Sequence, residues 1–520
     1  MPKSPQGGLR GALLVCGTAS DAGKSHLVTG LCRVLVRRGV KAAPFKGQNM
    51  SLNSFATPSG HEIGRSQAIQ AVAARVEPEP AMNPVLLKPM IGQRSQVVVM
   101  GRPAGETDPS SYARSRAEDL RPVVLEAFAD LRSRFDVVVA EGAGSPAEVN
   151  LLASDLANLW LAVATGTPAI LVGDIERGGV FAALYGTVGI LPQDLAGAVK
   201  GYVINKFRGD PRLLERGIEE LEARTGRPVL GVVPYARDLG LDAEDSLGMD
   251  EAVRPLAAPA VAAAAHSDVI DVAVVALPHI ANFTDLDPLR LEPAVSLRLV
   301  RSGQALGDPD LLIVPGSKTT VADLAWLGES GLAGEVRRAA RRPGGPVVLG
   351  ICAGYQMLGE EIVDGGVESR AGRVGALGLL PVRTVFGPGK TTRPRRGKAF
   401  GSEVQGYEIR HGETEPLAGV RGTPRAFAYL EDGFGNGPEG ARTADGRVVG
   451  TSLHGLFECD EFRAAFVTEV AALRHKRWTP SGASFAAARE GQIDRLADLV
   501  EAHLDLGEIF RLISAAGSPR

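Results

Sequence analysis

The sequence predicts an α/β protein of two three-layer domains: an N-terminal P-loop parallel sheet and a second sheet built behind a cysteine turn. Three observations predict it. Short β-branched runs alternate with amphipathic segments in two separate series. A Gly-Lys-Ser loop follows the first strand of the first series. A cysteine sits in a sharp strand-to-helix turn within the second. Such alternation implies crossover units and a parallel sheet covered on both faces.

The first series supplies strands at Ala12–Cys16, Val40–Phe45, Val97–Met100, Asp136–Ala140, Ala169–Val172, Tyr202–Ile204 and Val229–Val233. The second begins at Asp271 and continues through Leu311–Val314, Val347–Ile351 and Val448–Ser452. Between them the Ala/Pro tract from Arg254 to His266 lacks amphipathic period and reads as a linker, the alternative being a short alanine helix at the domain interface. The expected organisation is a phosphate-loop domain over 11–250, a linker over 251–268, a second domain over 269–475 and a helical extension over 476–520. The tract Gly387–Lys398, rich in Gly, Pro, Lys and Arg, reads as a mobile basic loop or a solvated turn.

The 520 residues suffice for two to four domains at about 100–200 residues each. With 44% apolar residues the composition is that of an ordinary globular protein. No apolar run approaches the ~18–20 residues of a membrane span, and Ala12–Cys16 is too short for a signal-peptide core. The expectation is a cytoplasmic protein without a membrane partner. Net charge of −3 gives no reason to expect nucleic acid. Cys16, Cys32, Cys352 and Cys459 form no CxxC pair, which speaks against a zinc site or disulfide framework.

Gly17-Thr18-Ala19-Ser20-Asp21-Ala22-Gly23-Lys24-Ser25 follows a strand and opens a helix. Backbone N–H groups there can cradle phosphate oxygens, Lys24 can reach the outer phosphates, and Ser25 can ligate Mg2+. Leu27, Leu31, Val34 and Leu35 give the helix one apolar face, and Gly39 stops it. Five residues, not the usual four, separate Gly17 from Gly23. A plain glycine-rich turn is the bland alternative.

Cys352 lies in Gly350-Ile351-Cys352-Ala353-Gly354, at the end of an apolar strand and the start of a helix. That turn lifts the thiol from the sheet edge, and the helix's positive end favours thiolate. His454 stands at the end of another apolar strand, Val448–Ser452. The bland alternative is a small buried hydrophobe.

The long phosphate loop resembles that of dethiobiotin synthetases. The resemblance implies ATP as cofactor, with Thr18, Asp21, Gly23, Lys24, Ser25, Lys46 and Asn205 at the nucleotide. Glu141, at the end of Asp136–Glu141, would join Ser25 as a magnesium ligand. Lys46 would neutralise phosphate charge in the transition state, and Asn205 would meet adenine.

The cysteine turn resembles the class I glutamine amidotransferase elbow, so the second sheet is expected to be amidotransferase-like. Cys352 would attack L-glutamine, His454 would carry protons, and backbone N–H groups at Gly316, Ser317 and Ala353 would form the oxyanion hole. One departure stands out. The usual glutamate two residues after the histidine is Leu456, and the nearest acid is Glu458. His454 must therefore be held by another group or be less basic.

Both halves together resemble the cobyric acid synthases. Strings carrying the likeness include Pro44-Phe45-Lys46-Gly47-Gln48-Asn49, Gly173-Asp174-Ile175-Glu176-Arg177-Gly178-Gly179 and Pro278-His279-Ile280-Ala281-Asn282-Phe283-Thr284-Asp285. The resemblance implies stepwise amidation of a corrinoid polycarboxylate with ATP, magnesium and glutamine. The competing readings are a cobyrinic acid a,c-diamide synthase and a P-loop ATPase switch carrying an inert amidotransferase-like module.

Overall fold

The computed structural model describes residues 8–112, 117–236, 239, 242, 268–368, 372–417 and 424–516. Apart from Asp268, the expected linker lies outside the described residues.

The N-terminal sheet has six parallel strands in the order Val229–Pro234, Val199–Phe207, Ala169–Asp174, Gly11–Gly17, Val137–Glu141, Ala42–Phe45. Alternate residues enter two different cores. Ala12, Leu14 and Cys16 face one, under the helices Ala117–Arg134 and Val180–Ile190. Leu13 and Val15 face the other, under the helix Lys24–Arg37. A strand buried on both faces has no polar side to display, which is why these segments read as unbroken apolar runs.

The expected strand at Val97–Met100 does not join this sheet. It is Ser95–Val99, in a separate sheet ordered Gln48–Met50, Val85–Pro89, Ser95–Val99, Arg102–Thr107. Its connections are too short for a parallel crossover, which requires a dozen or more residues, so both neighbours that flank it in sequence pair antiparallel. Gly101, at φ 76°, makes the second turn.

The C-terminal half holds a six-stranded sheet in the order Val295–Val300, Ile270–Val275, Leu311–Val314, Val347–Ile351, Val448–Thr451, Ala441–Arg442. All neighbours are parallel except the last pair. Ala273 and Val275 enter one core, Val272 and Val274 the opposite one.

The expected basic loop is instead part of the 18-residue strand Val382–Ala399, paired antiparallel with Ser402–Pro416. Arg396 and Lys398 are exposed, but other charges of the tract are not. Arg395 is buried against Glu408 and Asp432, and Lys390 pairs with Glu62 from the N-terminal half. Gly387, Pro388 and Gly389 sit where the register slips, between Val385 and Lys390, whereas Pro394 and Gly397 are paired within the ladder.

The C-terminal extension forms the helices Phe485–His503 and Leu506–Ala515. They run back onto the N-terminal sheet. Ile493, Val500, Ile509 and Ile513 fill the core beneath the helix Lys24–Arg37. Full burial of such side chains contributes about 1.5–3 kcal/mol each relative to exposure. A Cβ at Gly30 would lie 2.7 Å from Val500, so glycine permits the close helix contact. Arg33, 1% exposed, pairs with Glu490 and Asp494 of the extension.

The halves also meet through a polar seam. Ser54 N–H donates to Asn282 Oδ1 (2.8 Å), Phe283 N–H to Asn53 Oδ1 (3.2 Å), and Tyr407 Oη to the Ser54 carbonyl (3.1 Å). Among the described residues, no helix is long and apolar enough to cross a membrane.

Candidate active site

The cysteine turn joins the strand Val347–Ile351 to the helix Ala353–Leu358. Cys352 itself has φ 53° and ψ −108°. A non-glycine residue held there stores about 1–3 kcal/mol of backbone strain, which persists only where the surroundings enforce it. They do so here. Cys352 N–H donates to the Thr451 carbonyl (2.7 Å), and its own carbonyl accepts from Gln356 N–H (3.1 Å). The turn is pressed against the next strand, since a Cβ on Gly354 would stand 1.9 Å from the Val314 carbonyl oxygen.

His454 is buried beside the thiol. Its Nδ1 lies 2.7 Å from Asp285 Oδ2, and Asp285 Oδ1 accepts from Gly455 N–H at 2.7 Å. Asp285 is thus the orienting acid, supplied from the segment Phe283–Leu291 rather than from the position after the histidine. The sequence reading missed it; the one signal was that Asp285 closes a string with no other assigned role. Glu458 is committed elsewhere, to Arg65 and Arg489. Burial opposes charge on His454, but the Asp285 carboxylate and the neighbouring Cys352 sulfur outweigh it and push the imidazole up to about 10. Less basic is therefore not the outcome: the histidine is held by another group and is more basic.

A cavity of about 40 Å³ opens at Cys352, lined also by Ser317, Ala353, Gln356, Arg410 and His454. Gly316 sits against the histidine, where a Cβ would be 2.9 Å from His454 Cε1. Ser317 is fixed by its hydroxyl to Asp323 Oδ2 (2.7 Å). Ala353 is the first residue of its helix, where a backbone N–H has no intrahelical acceptor. The three expected oxyanion residues are brought together around the cysteine.

In the other half, Gly23 takes φ 93° at the end of the phosphate loop, and a Cβ there would collide with Asn205 Nδ2 at 2.1 Å. Lys24 Nζ donates to the carbonyls of Ala19 (2.9 Å) and Gly144 (3.1 Å). Glu141, fully buried, gathers the remaining groups. Its Oε1 accepts from Ser25 Oγ (2.9 Å) and Lys46 Nζ (2.8 Å), and its Oε2 from Gln70 Nε2 (2.5 Å). Gln70 was not foreseen. A serine hydroxyl and a carboxylate converging here are hard oxygen donors that fit Mg2+ completed by phosphate oxygens and water.

Asn205 lines the large cavity beside the loop and donates its amide to the Ala22 carbonyl (2.9 Å), bracing the loop. Thr18 spends its backbone N–H on the Val172 carbonyl and is not among the residues lining the cavity. Asp21, at φ 56°, does line it and faces Arg177 at 3.9 Å.

That cavity measures about 1190 Å³. It runs from the phosphate loop past Lys46, Gln48 and Asn49 to Pro278 and His279 of the C-terminal half. Typical small-ligand pockets are about 300–1,000 Å³, so a nucleotide leaves room for a second large molecule.

Residues 13–247 match the CobQ/CobB/MinD/ParA nucleotide binding domain, and residues 271–462 match the CobB/CobQ-like glutamine amidotransferase domain. A nucleotide-binding α/β domain joined to an amidotransferase domain with an assembled Cys-His-Asp site defines a glutamine-dependent amide ligase. Full-length relatives narrow this further. The cobyric acid synthase of Streptomyces coelicolor is 50% identical over 518 residues, covering 98% of both chains. Those of Frankia casuarinae, 50% identical over 531 residues, and Nocardia farcinica, 50% over 514, cover 97–98% of both chains. The chain belongs to the cobyric acid synthase family.

Proposed function

We propose that the protein amidates corrin side-chain carboxylates, converting adenosylcobyrinic acid a,c-diamide to adenosylcobyric acid with ATP and L-glutamine. The observation that carries this reading is the 1190 Å³ cavity, which begins at a phosphate loop and ends against the amidotransferase half. It has the size for ATP and a bulky polycarboxylate together. The relatives' shared name supports the same substrate class.

In the amidotransferase site, the Cys352 sulfur attacks the glutamine side-chain carbonyl while Gly316, Ser317 and Ala353 N–H groups receive the oxyanion. His454, steadied by Asp285, protonates the departing ammonia and then activates the water that cleaves the thioester. In the synthetase site, phosphoryl transfer from ATP to a corrin carboxylate gives an acyl phosphate. Lys24 and Lys46 balance the charge of the transferred group. Magnesium, held by Ser25 and Glu141, would supply further charge neutralisation at the phosphates. Gln48 and Asn49 line the cavity beside Lys46, where the carboxylate would be received. All four cysteines are free thiols, as suits a reducing, cytoplasmic setting.

Mass spectrometry of corrinoid products tests this. With ATP, Mg2+ and glutamine, the a,c-diamide should gain amides one at a time until the cobyric acid product accumulates. A preparation that hydrolyses glutamine yet leaves the diamide unchanged refutes the substrate assignment.

A further inference from the structure

We propose that His279, contributed by the amidotransferase half, is the general base that takes the proton from nitrogen as the amide forms in the large cavity. The proposal rests on the ATP-dependent amidation read above and deepens it.

Among the described residues lining that cavity, Pro278 and His279 are the two drawn from 269–475. His279 is held firmly. Its Nδ1 is 2.7 Å from Asp323 Oδ1, its N–H donates to Asp323 Oδ2 (3.1 Å), and its carbonyl accepts from Lys318 N–H (3.0 Å). Asp323 is 1% exposed, whereas the imidazole is 30% exposed. A carboxylate on Nδ1 fixes the tautomer that keeps its proton there and places the lone pair on Nε2, the ring nitrogen left to the cavity side. This is the arrangement of a base with an orienting acid.

The reaction needs such a group. The ammonia lone pair forms a C–N bond to the acyl phosphate carbon, and the carbonyl π electrons move to oxygen. The nitrogen now carries a positive charge. Nε2 of His279 takes one of its protons; the C=O re-forms, and the C–O bond to phosphate breaks with its electron pair on phosphate. The imidazolium then returns its proton to phosphate or water. Several acids that line the cavity already have partners: Asp242 pairs with Arg65 and Arg489, Glu176 with Arg208, Asp155 accepts from the backbone N–H groups of Ala157 and Asn158, and Asp108 from those of Ser110 and Ser111.

The placement also suits the nitrogen's route. Ala281, Asn282 and Ser317 line the small cavity at Cys352, while His279, two residues before Ala281, lines the large one. Asp323 clasps both His279 and the Ser317 hydroxyl. One loop thus borders the place where ammonia is released and the place where it is consumed.

The test uses the full-length enzyme with ammonium chloride as nitrogen donor, so Cys352 chemistry is bypassed. His279→Ala should lower amidation by about 100-fold or more, in the range general bases contribute. Added imidazole should restore about tenfold of the loss, which a purely structural role would not permit. Acyl phosphate, trapped by hydroxylamine as the hydroxamate, should stay within about threefold of the unsubstituted enzyme. His279→Gln, which keeps polarity and bulk, should share the amidation defect. The proposal is overturned by near-normal amidation in either variant, or by a loss that imidazole does not relieve and that hydroxamate formation follows in step. Absence of hydroxamate from the unsubstituted enzyme would overturn the proposed function, and this proposal with it.

Discussion

Asp285→Asn removes one charge and changes almost nothing in shape, so its consequence can be worked from the geometry. Asp285 accepts two hydrogen bonds, from Gly455 N–H and from the His454 ring, each at 2.7 Å. An asparagine has one oxygen and one NH2. The backbone N–H of Gly455 cannot become an acceptor, so the oxygen stays there and the NH2 faces Nδ1. His454 must then accept at Nδ1 and carry its proton on Nε2, the nitrogen that should receive the thiol proton. The loss combines a charge-assisted hydrogen bond, about 1.5–3 kcal/mol, with the cost of the wrong tautomer. Taken as about 3–4 kcal/mol, this lowers the glutaminase rate by about 10²–10³. The assay is ammonia release from glutamine, with ammonium-driven amidation as the control that should persist. There is a pH signature too. His454 is raised to about 10, so the charged imidazole is present at neutral pH and lost as pH rises through that value. The native enzyme should show an alkaline limb near 10 in kcat/KM for glutamine, and the variant a limb displaced toward acid. A variant retaining more than about a tenth of the glutaminase rate would refute the role given to Asp285.

Three other outcomes are expected. Cys352→Ser should abolish glutamine-dependent amidation and spare the ammonium-dependent reaction, measured on the same corrinoid; continued use of glutamine would reject the nucleophile. Lys24→Ala should lose amidation with either nitrogen donor, because ammonia enters after the phosphates have been engaged; a variant that still works with ammonium would show that this loop is not the synthetase site. Glu62→Gln should lower thermal stability, by about 3–5 kcal/mol, because Lys88 and Lys390 would be left buried without a counter-charge. Burial opposes ionisation of Glu62, but Lys390 and Lys88 hold it well below the usual carboxylate range. Its stabilising contribution is therefore complete above the ordinary glutamate value of 4.5 and falls away in acid, so native and variant melting curves should converge at low pH.

What could be read from the chain was local. Gly17–Ser25 and Gly350–Gly354 announce themselves because strand, turn and helix start lie within ten residues, and each turn dictates its own residue types. The central strands were equally plain, being apolar on both faces. The edge strand Val295–Val300 was not, although Val295, Leu297 and Leu299 alternate with Ser296 and Arg298. Its weak pattern follows from its position, covered by a neighbour on one side only; Arg298 reaches across to Asp271 on the next strand. The basic tract misled for a related reason. A run of Lys and Arg reads as solvated unless acids stand close in sequence, and Glu62 lies more than three hundred residues from Lys390. Nothing within the tract records that pairing.

The same physical reason separates what was found at the site from what was missed. Cys352 and His454 were legible because each occupies a strand end with a characteristic turn. Asp285 was not, because an acid that orients a histidine needs only to arrive at Nδ1, and the fold can bring it from anywhere. Here it comes from the segment Pro278–Asp285, whose eight residues pass from a turn through an isolated bridge at Ile280 into the first turn of the 3-10 helix Phe283–Leu291. That change of conformation has a use. A single continuous helix or strand would repeat its contacts on one face, whereas this segment turns three side chains to three different surroundings. His279 goes to the large cavity, Asn282 to the Ser54 backbone of the N-terminal half, and Asp285 to His454. Because Asn282 grips the other half between those two residues, any shift at the domain seam must move the acid that sets the histidine. Asn282→Ala should therefore lower the fraction of glutamine nitrogen that reaches product more than it lowers either separate reaction. Equal losses in glutaminase and ammonium-dependent amidation, with transfer between them unchanged, would show that the segment merely supports each site on its own.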